Sequence, residues 1–283
     1  MATQTPPVIM KANTDLREIT IVSHSNLFYW WPFWAVGFIL FLLTLADGHL
    51  MAIVPEKTIA LRNVTVLAEE RYDHRDVLMA PEGKRLPPTR ADVPPQDPHL
   101  RMARNTTYGV IYLIVLMLLI VITNVPLRGM WSVAVIMTVI FLTIIFALAH
   151  WWGPILDALG RLHIHINAAG YLLISLTLFV IWLITVLLFD PQIYMVFTPG
   201  QLRVRQEIGG GEAAYDTAGM VIQKQRNDLF RHWILGLGSG DLVVNTSGAT
   251  AHHFDLPNVL FVGYKVRQIE NMLREKPVVQ GQG

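Results

Sequence analysis

The sequence contains no cysteine. This absence excludes disulfide bonds, thiolate metal sites, iron–sulfur clusters and cysteine nucleophiles. It leaves the cellular compartment open, because reducing and oxidising spaces both contain proteins without thiols. The ten histidines are therefore the richest source of possible chemistry in this chain.

Charged residues are also scarce. They make up 15% of the 283 residues, whereas hydrophobic residues make up 53%. Such an apolar average is unusual for a soluble domain and favours a membrane protein. The 22 Lys and Arg nearly balance the 21 Asp and Glu, so the net charge is +1. We therefore expect no nucleic-acid partner.

Four long apolar stretches contain no Lys, Arg, Asp or Glu at all. Each is long enough to cross a hydrocarbon core of roughly 30 Å. The stretches are Leu27–Ala46, Tyr108–Val125, Met130–Trp152 and Ala168–Phe189. They predict one transmembrane helix over residues 27–48 and three more within residues 107–190. The first has too long an apolar run for a signal peptide. The lack of charge inside the stretches argues against transport and against intramembrane acid–base chemistry.

The segments outside these stretches are polar. Residues 1–26 and 275–283 are predicted to be loosely ordered tails. Residues 49–106 contain the alternating TIALRNVTV, then a charged run, and then a stretch with six prolines in 18 residues, which opposes regular structure. We expect an extended extramembrane segment there that could contact neighbouring subunits. Residues 154–166 place Ile155 and Leu159 on one helical stripe, which predicts a short interfacial helix.

The periodicity changes after Asp190 from helical runs to short alternating segments. QIYMVFT and QLRVRQEI flank a TPG turn and predict a hairpin with Leu202 and Val204 on one face. MVIQKQ predicts another strand, and DLVVNTSGATAHHFDL a further pair. Val262, Val266 and Ile269, with Leu273, share one stripe of a closing helix. Residues 191–274 are therefore predicted to form a small β-barrel or sheet with a capping helix.

This terminal region resembles the bacterial pleckstrin-homology-like (bPH) domain of membrane proteins. The resemblance covers about a third of the chain, residues 191–274. Its marks are YMVFTPGQLRV, MVIQKQRND, LGLGSGDLVV and FDLPNV. It implies a PH-like fold, a bacterial inner-membrane location and cytoplasmic termini. Four spans and a long proline-rich insertion depart from the usual single transmembrane hairpin. The positive-inside rule does not predict the membrane orientation, since four Lys or Arg residues flank the spans on the side of the termini and five on the other side.

The glycine-rich LGLGSGD has a structural interpretation. Gly236, Gly238 and Gly240 alternate where a strand of a small barrel is expected to bend. A phosphate-binding loop is disfavoured because the β-branched LVV follows instead of a helix with a lysine. Asp241 is expected to bond backbone amides rather than to act as a catalytic acid. No nucleotide or hydrolase fingerprint is present, and no cofactor is predicted.

Two sets of residues remain as candidate sites. Lys224, Arg226 and Arg231 form the densest basic group of the terminal region and could bind a partner or anionic lipid headgroups. His49, His150 and His163 flank the spans and could meet at one membrane face to hold a metal or a haem. No HExxH motif supports that metal site, and no span has a histidine in its middle third.

These patterns predict a non-catalytic integral membrane protein. Its PH-like domain would act as a scaffold, an oligomerisation element or an accessory subunit, because a small open barrel exposes strand edges. The expected partners are the lipid bilayer and either further copies of the chain or another membrane protein complex. Two alternatives stay open: a module that senses anionic lipids, and a histidine-based metal or haem redox protein.

Overall fold

A computed structural model describes residues 18–68, 71–86, 99–125, 129–206, 208–226, 228–247 and 251–274. Within these ranges the chain forms six α-helices and eleven β-strands. The helices are α1 Trp31–Asp47, α2 Thr107–Asn124, α3 Met130–Leu148, α4 Trp152–Gly160, α5 Ala168–Ile184 and α6 Val262–Arg274. The strands are β1 Ile19–Val22, β2 His49–Met51, β3 Ile59–Ala68, β4 Arg71–Met79, β5 Leu100–Met102, β6 Tyr194–Phe197, β7 Gln201–Arg205, β8 Ala213–Asp216, β9 Val221–Gln225, β10 Gly240–Asn245 and β11 His253–Val259.

Four helical segments are long and apolar enough to cross a membrane, which confirms the prediction of four spans. They are Asn26–Asp47, Thr107–Asn124, Met130–Leu148 and Ala168–Gln192. The first includes a 3₁₀ segment, Asn26–Trp30, ahead of α1. The last continues beyond α5 through a π-helical turn, Thr185–Phe189. Many of their large apolar side chains are exposed, as expected where hydrocarbon is the solvent.

The chain divides into two compact units. One contains the described residues of 35–114 and 152–176. In this unit Tyr112 Oη lies 3.1 Å from Ser175 Oγ, and the rings of Tyr112 and Tyr171 meet edge to face. Gly37 lies against Tyr112 and Ser175, since a Cβ at this glycine would be 2.9 Å from Tyr112 Oη and would clash with Ser175 Oγ. Small residues let apolar helices approach each other in this way.

The extramembrane part of the same unit contains two small antiparallel sheets. β2 pairs with β5, and β3 forms a long hairpin with β4. The alternation in TIALRNVTV thus marks a real strand, and the charged run after it supplies the partner strand. The pairing shifts register between Leu61 and Val64, where Asn63 has a φ of 55°. The proline-rich residues 87–98 lie outside the described part of the chain.

The predicted interfacial helix over residues 154–166 is shorter than expected. α4 ends at Gly160, and His163 has a left-handed φ of 47°. A residue in the left-handed conformation cannot continue a right-handed helix. The chain then restarts as α5, where Asn167 Oδ1 accepts the amide of Gly170 at 2.6 Å.

The second unit contains the described residues of 1–34, 115–151 and 177–283. It holds β1, β6 to β11 and α6, which together we call the sheet domain. β1 pairs with β6, so that Ile21 lies opposite Met195. This differs from the prediction that residues 1–26 form a polar tail, because Ile19–Val22 is an integral strand. Residues 1–17 lie outside the described residues, as does the predicted tail 275–283.

The core of the sheet domain combines both sheets and the helix. Leu202 and Val204 of β7 are buried, which confirms the predicted face of that strand. Val262, Val266 and Ile269 of α6 are also buried. Leu273 packs against the core from its edge. Ile21 is fully buried among these side chains, so residues from both ends of the chain complete one core.

The strands of the sheet domain form two antiparallel sheets. Their orders are β1-β6-β7-β8 and β11-β10-β9. β1 and β11 lie side by side, where Ser23 Oγ donates to the carbonyl of Pro257 at 2.9 Å. In the described residues, the edge strands β1, β8, β9 and β11 each pair with only one strand, so no closed barrel forms. The sheet domain therefore has strand edges without a ladder partner, and we call the edges of β8 and β9 the open seam.

Candidate functional site

A buried polar cluster lies at the start of the first span. Its centre is the hydroxyl of Tyr29, in the 3₁₀ segment Asn26–Trp30. This hydroxyl donates to Asn258 Oδ1 at 2.9 Å. It also lies 3.1 Å from Ser239 Oγ and 3.4 Å from His232 Nδ1. The ring of Tyr29 is completely buried, so each of these polar groups satisfies another away from water.

Asn258 ties the end of β11 to the segment that precedes the span. Its Nδ2 donates to the carbonyl of His24 at 2.9 Å and lies 3.2 Å from Asn26 Oδ1. Its own backbone has a φ of 57°. Asparagine tolerates this left-handed conformation better than most residues. The position therefore suits asparagine both for its backbone and for its side chain.

Asp241 and His232 extend the cluster into the sheet domain. Asp241 Oδ1 accepts the amide of Asn258 at 3.0 Å, and His232 Nε2 lies 3.6 Å from Asp241 Oδ2. Burial acts to raise the pKa of Asp241. The His232 side chain, the Asn258 amide and the Arg231 charge outweigh burial, and the pKa is lowered. Asp241 does bond a backbone amide, as predicted, and the amide comes from the neighbouring strand.

Gly236 makes room for this cluster. A Cβ at this position would lie 2.6 Å from the carbonyl oxygen of Arg231 and 2.8 Å from Cε1 of Tyr29. It would also clash with Ser239 Oγ. Gly236 follows a π-helical segment, Phe230–Leu235, and lies in the turn before β10. Gly240 is the first residue of β10, and the pairing of β10 with β11 shifts register between Gly240 and Leu242. The close approach of Tyr29 explains the glycine at position 236.

A second set of bonds connects the segment just before the first span to the fourth span. Asp190, which is buried, accepts a hydrogen bond from the amide of Ser25 at 3.2 Å. Its other oxygen lies 3.0 Å from His24 Nδ1. The start of the first span and the end of the fourth are thus joined immediately beside the cluster.

Two indole groups add to this connection. Trp31 Nε1, at the first residue of α1, donates to the carbonyl of Leu235 at 3.0 Å. Trp182 Nε1 in α5 donates to the carbonyl of Phe28 at 3.1 Å. Each bond satisfies a backbone carbonyl at a helix boundary. The first span is therefore bonded both to the segment that precedes β10 and to the fourth span.

The contacts among Ser239, His232 and Asp241 have the order of a Ser-His-Asp catalytic triad. Their surroundings do not suit catalysis. His232 Nδ1 lies 3.2 Å from Ser239 Oγ, and both side chains are completely buried. The Tyr29 hydroxyl lies beside the same serine oxygen. A nucleophile needs a free approach for its substrate. The cluster instead joins the sheet domain to Tyr29 at the start of the first span.

The predicted basic group is divided between two places. Lys224 and Arg226 line a cleft of about 520 Å³ beside the start of α6. Arg231 lies apart from that cleft, where its Nε donates to Asp228 Oδ2 at 2.8 Å and its side chain is 11% exposed. The three residues therefore do not form a single patch.

The histidines proposed as metal ligands have other surroundings. His49 Nδ1 lies 2.8 Å from the carbonyl oxygen of Asp47. His150 and His163 both have left-handed backbones, and His163 lines a cleft with Asp157 and Arg161. In the part of the chain that the structure describes, no three His, Cys, Asp or Glu side chains are close enough to hold a metal ion.

Sequence reasoning missed Tyr29 and Asn258, the two centres of the cluster. Tyr29 is one aromatic residue in the interfacial run LFYWW, and its hydroxyl is not distinguished there by any spacing. The asparagine in FDLPNV could have been noticed, because an asparagine after a proline at the end of a strand suits a left-handed turn.

Comparison of the sequence and the fold with known proteins finds no matching family model, no similar curated protein and no similar solved structure.

Proposed function

We propose that this chain is a non-catalytic integral membrane protein whose sheet domain is a PH-like docking module. It would serve as a scaffold or accessory subunit that binds further copies of itself or another membrane protein. The observation that carries this proposal is the buried polar cluster, since it bonds the sheet domain to the start of the first span. A domain held in this way can present one surface at a constant height above the bilayer.

The arrangement of strands supports the PH-like assignment. A four-stranded and a three-stranded antiparallel sheet share one core, and a C-terminal amphipathic helix packs on it. The four motifs that resemble bPH domains fall on β6–β7, β9, β10 and β11. In this proposal β1 is contributed by the segment that precedes the four spans in the sequence. Cytoplasmic termini and a bacterial inner membrane belong to the same proposal.

The open seam supports a docking role. β8 and β9 are edge strands of different sheets, and the side chains of both are largely exposed. An unpaired strand edge offers backbone donors and acceptors to an incoming strand. We assign docking to β8, because its short AAYD sequence carries no lysine, arginine or proline to block strand addition.

The test is the native mass of the full chain extracted in a mild detergent, compared between three proteins. We expect the wild type to run as an oligomer or with a membrane partner. Ala214→Lys places a charge on the exposed edge of β8 without touching the core, and should shift the protein towards a free monomer. Ala251→Lys makes the same change in an exposed loop and should behave as wild type.

A wild type that is monomeric and without a partner protein at every concentration would contradict the scaffold proposal. An oligomer that Ala214→Lys and Ala251→Lys leave equally intact would contradict the assignment of docking to β8.

A further inference from the structure

The cleft beside α6 has the features of a small anion-binding site. It measures about 520 Å³ and lies between the end of β9, the turn before β10 and the first turns of α6. Lys224 and Arg226 line one side, and Gly263 and Arg267 of α6 line the other. Its aromatic residues are Phe261 and Tyr264, on the rim.

Lys224 and Arg226 converge on one point of this cleft. A Cβ built at Gly263 would lie 3.5 Å from Arg226 Nη2 and 3.7 Å from Lys224 Nζ. The same Arg226 Nη2 donates to the carbonyl of Gly238 at 2.6 Å, which fixes the guanidinium in place. Among the described residues, no carboxylate forms an ion pair with either cation. Two like charges held together without a counter-charge favour an anion between them.

Two further groups shape the charge of the cleft. Arg267 Nε donates to the carbonyl of Gly263 at 3.1 Å, which brings a third cation to the same turn of α6. Glu270 is the one acidic residue among those that line the cleft. Positive charge therefore prevails at Gly263.

A phosphate group suits this arrangement best. A guanidinium binds two phosphate oxygens at once, and an ammonium supplies a compact second charge. Gly263 leaves the space between the two cations unfilled, and the cleft has room for a small headgroup.

The rim of the cleft points to a lipid as the source of the phosphate. Leu237 and Phe261 are 66% and 59% exposed, and both have left-handed backbones, with φ of 48° and 51°. The left-handed conformation of a bulky residue costs free energy, and burial of these two side chains within the protein does not offset that cost because both are exposed. Two apolar side chains held outwards beside a cationic cleft match the boundary between headgroups and acyl chains.

The position of Leu237 relative to the first span agrees with this. Leu237 follows Leu235 by two residues, and the Leu235 carbonyl accepts the indole hydrogen of Trp31, the first residue of α1. The π-helical segment that ends at Leu235 also exposes Trp233 and Ile234. The loop beside the cleft is therefore bonded to the end of a span, which is where headgroups lie.

We propose that Lys224, Arg226 and Gly263 bind the phosphate of an anionic phospholipid headgroup, with Leu237 and Phe261 against its acyl chains. This binding site goes beyond the docking role of β8 and does not depend on it. Arg231 takes no part, because Asp228 already neutralises it.

The test is native mass spectrometry of the full chain in a mild detergent with equal amounts of dioleoylphosphatidylglycerol and dioleoylphosphatidylcholine. We expect the wild type to retain the anionic lipid preferentially. Each interfacial cation contributes roughly fivefold, so Lys224→Ala with Arg226→Ala should weaken retention roughly 25-fold. The control Arg274→Ala removes an exposed cation from the far end of α6 and should retain the lipid as wild type does.

A second variant keeps all the charges and protects the test from unfolding. Gly263→Ala places a methyl group between the two cations at ordinary contact distance, and alanine favours a helix. We expect this variant to fold at least as stably as the wild type and to lose most of the preference for the anionic lipid.

Three outcomes would overturn the proposal. One is equal retention of both lipids by the wild type, and another is unchanged retention in both cleft variants. The third is binding of glycerol 3-phosphate as tight as that of phosphatidylglycerol, because it would assign the cleft to a soluble phosphate compound instead of a lipid.

Discussion

Tyr29 and Asn258 are 229 residues apart in the sequence, yet the hydroxyl of one donates to the side chain of the other at 2.9 Å. Their bond is one of several buried bonds that share donors and acceptors with His232, Ser239 and Asp241. Removing one member of such a network leaves its partners buried and unsatisfied. The largest effects of single substitutions should therefore be found here rather than on the exposed surface.

Asn258→Ala removes three side-chain hydrogen bonds and places alanine in a left-handed backbone. We expect a loss of about 2–4 kcal/mol in the free energy of unfolding, from unsatisfied buried groups and backbone strain. Thermal unfolding of the purified protein in detergent measures it. Asn258→Gly also removes the hydrogen bonds but avoids the backbone strain, so its stability should lie between those of the wild type and Asn258→Ala.

The matched control is Asn245→Ala, which removes an exposed bond to His253 from the same domain. If Asn258→Ala unfolded at the same temperature as Asn245→Ala, the buried polar cluster would not stabilise the attachment of the sheet domain to the first span.

Asp241 makes the stability of the sheet domain depend on acid pH. Its pKa is lowered on folding from an ordinary value of 3.8. The stabilisation from its carboxylate is therefore complete above that value, and it is lost as the pH falls through the lower folded pKa. Asp241→Asn should be less stable than wild type by about 1 kcal/mol at pH 7, and the difference should shrink below pH of about 4. Denaturant unfolding of both proteins at several pH values checks this. An unchanged difference at acid pH would show that the carboxylate charge is irrelevant.

At the scale of elements, the predictable parts were those defined by local pattern. The alternation of Leu202 and Val204 and the stripe through Val262, Val266 and Ile269 each correspond to one strand or helix. β1 was not predictable in the same way, because four residues, ITIV, before an apolar span carry too little periodicity. Its pairing with β6 is non-local, and no local pattern encodes a partner so distant in sequence.

The hairpin of β3 and β4 was missed for a related reason. β4 has the sequence RYDHRDVLM, whose charges argue against a strand when it is considered alone. Pairing with β3 supplies its backbone hydrogen bonds, and charged side chains are acceptable because this hairpin is largely exposed.

Ile21 measures how much β1 contributes to the sheet domain. Its side chain is completely buried in the core opposite Met195. Ile21→Ala should cost about 2–5 kcal/mol through lost burial and the cavity that it leaves. Thr20→Ala on the exposed face of the same strand should cost less than about 0.5 kcal/mol. Thermal unfolding, detected by the onset of proteolysis of the sheet domain, measures both changes in stability. Equal effects would mean that β1 does not belong to the core.

At the scale of the whole molecule, the spans were predictable and the organisation of the sheet domain was not. A span is recognised from its own length and composition, without any partner. The candidate site was predicted only in part. Lys224 and Arg226 do share a cleft, whereas Arg231 pairs with Asp228 three residues earlier in the chain. The ion pair of Arg231 with Asp228 depends on the local backbone conformation, which composition alone does not predict.

The whole arrangement depends on one claim, that the segment before the first span is a strand of the domain that follows the last span. Disulfide trapping tests it directly, since the chain has no cysteine of its own. Thr20 of β1 lies opposite Val196 of β6, and Val196 lies opposite Arg203 of β7. Adjacent strands are about 4.8 Å apart, which permits a disulfide, whereas strands two places apart are beyond its reach.

The measurement is the extent of cross-linking in two variants of the full chain under mild oxidation, detected as joined fragments after cleavage between the first and fourth spans. Thr20→Cys with Val196→Cys should cross-link nearly completely within one chain. Thr20→Cys with Arg203→Cys should remain reduced. Absence of the first cross-link, or equal cross-linking in the two variants, would contradict the claim that β1 completes the sheet.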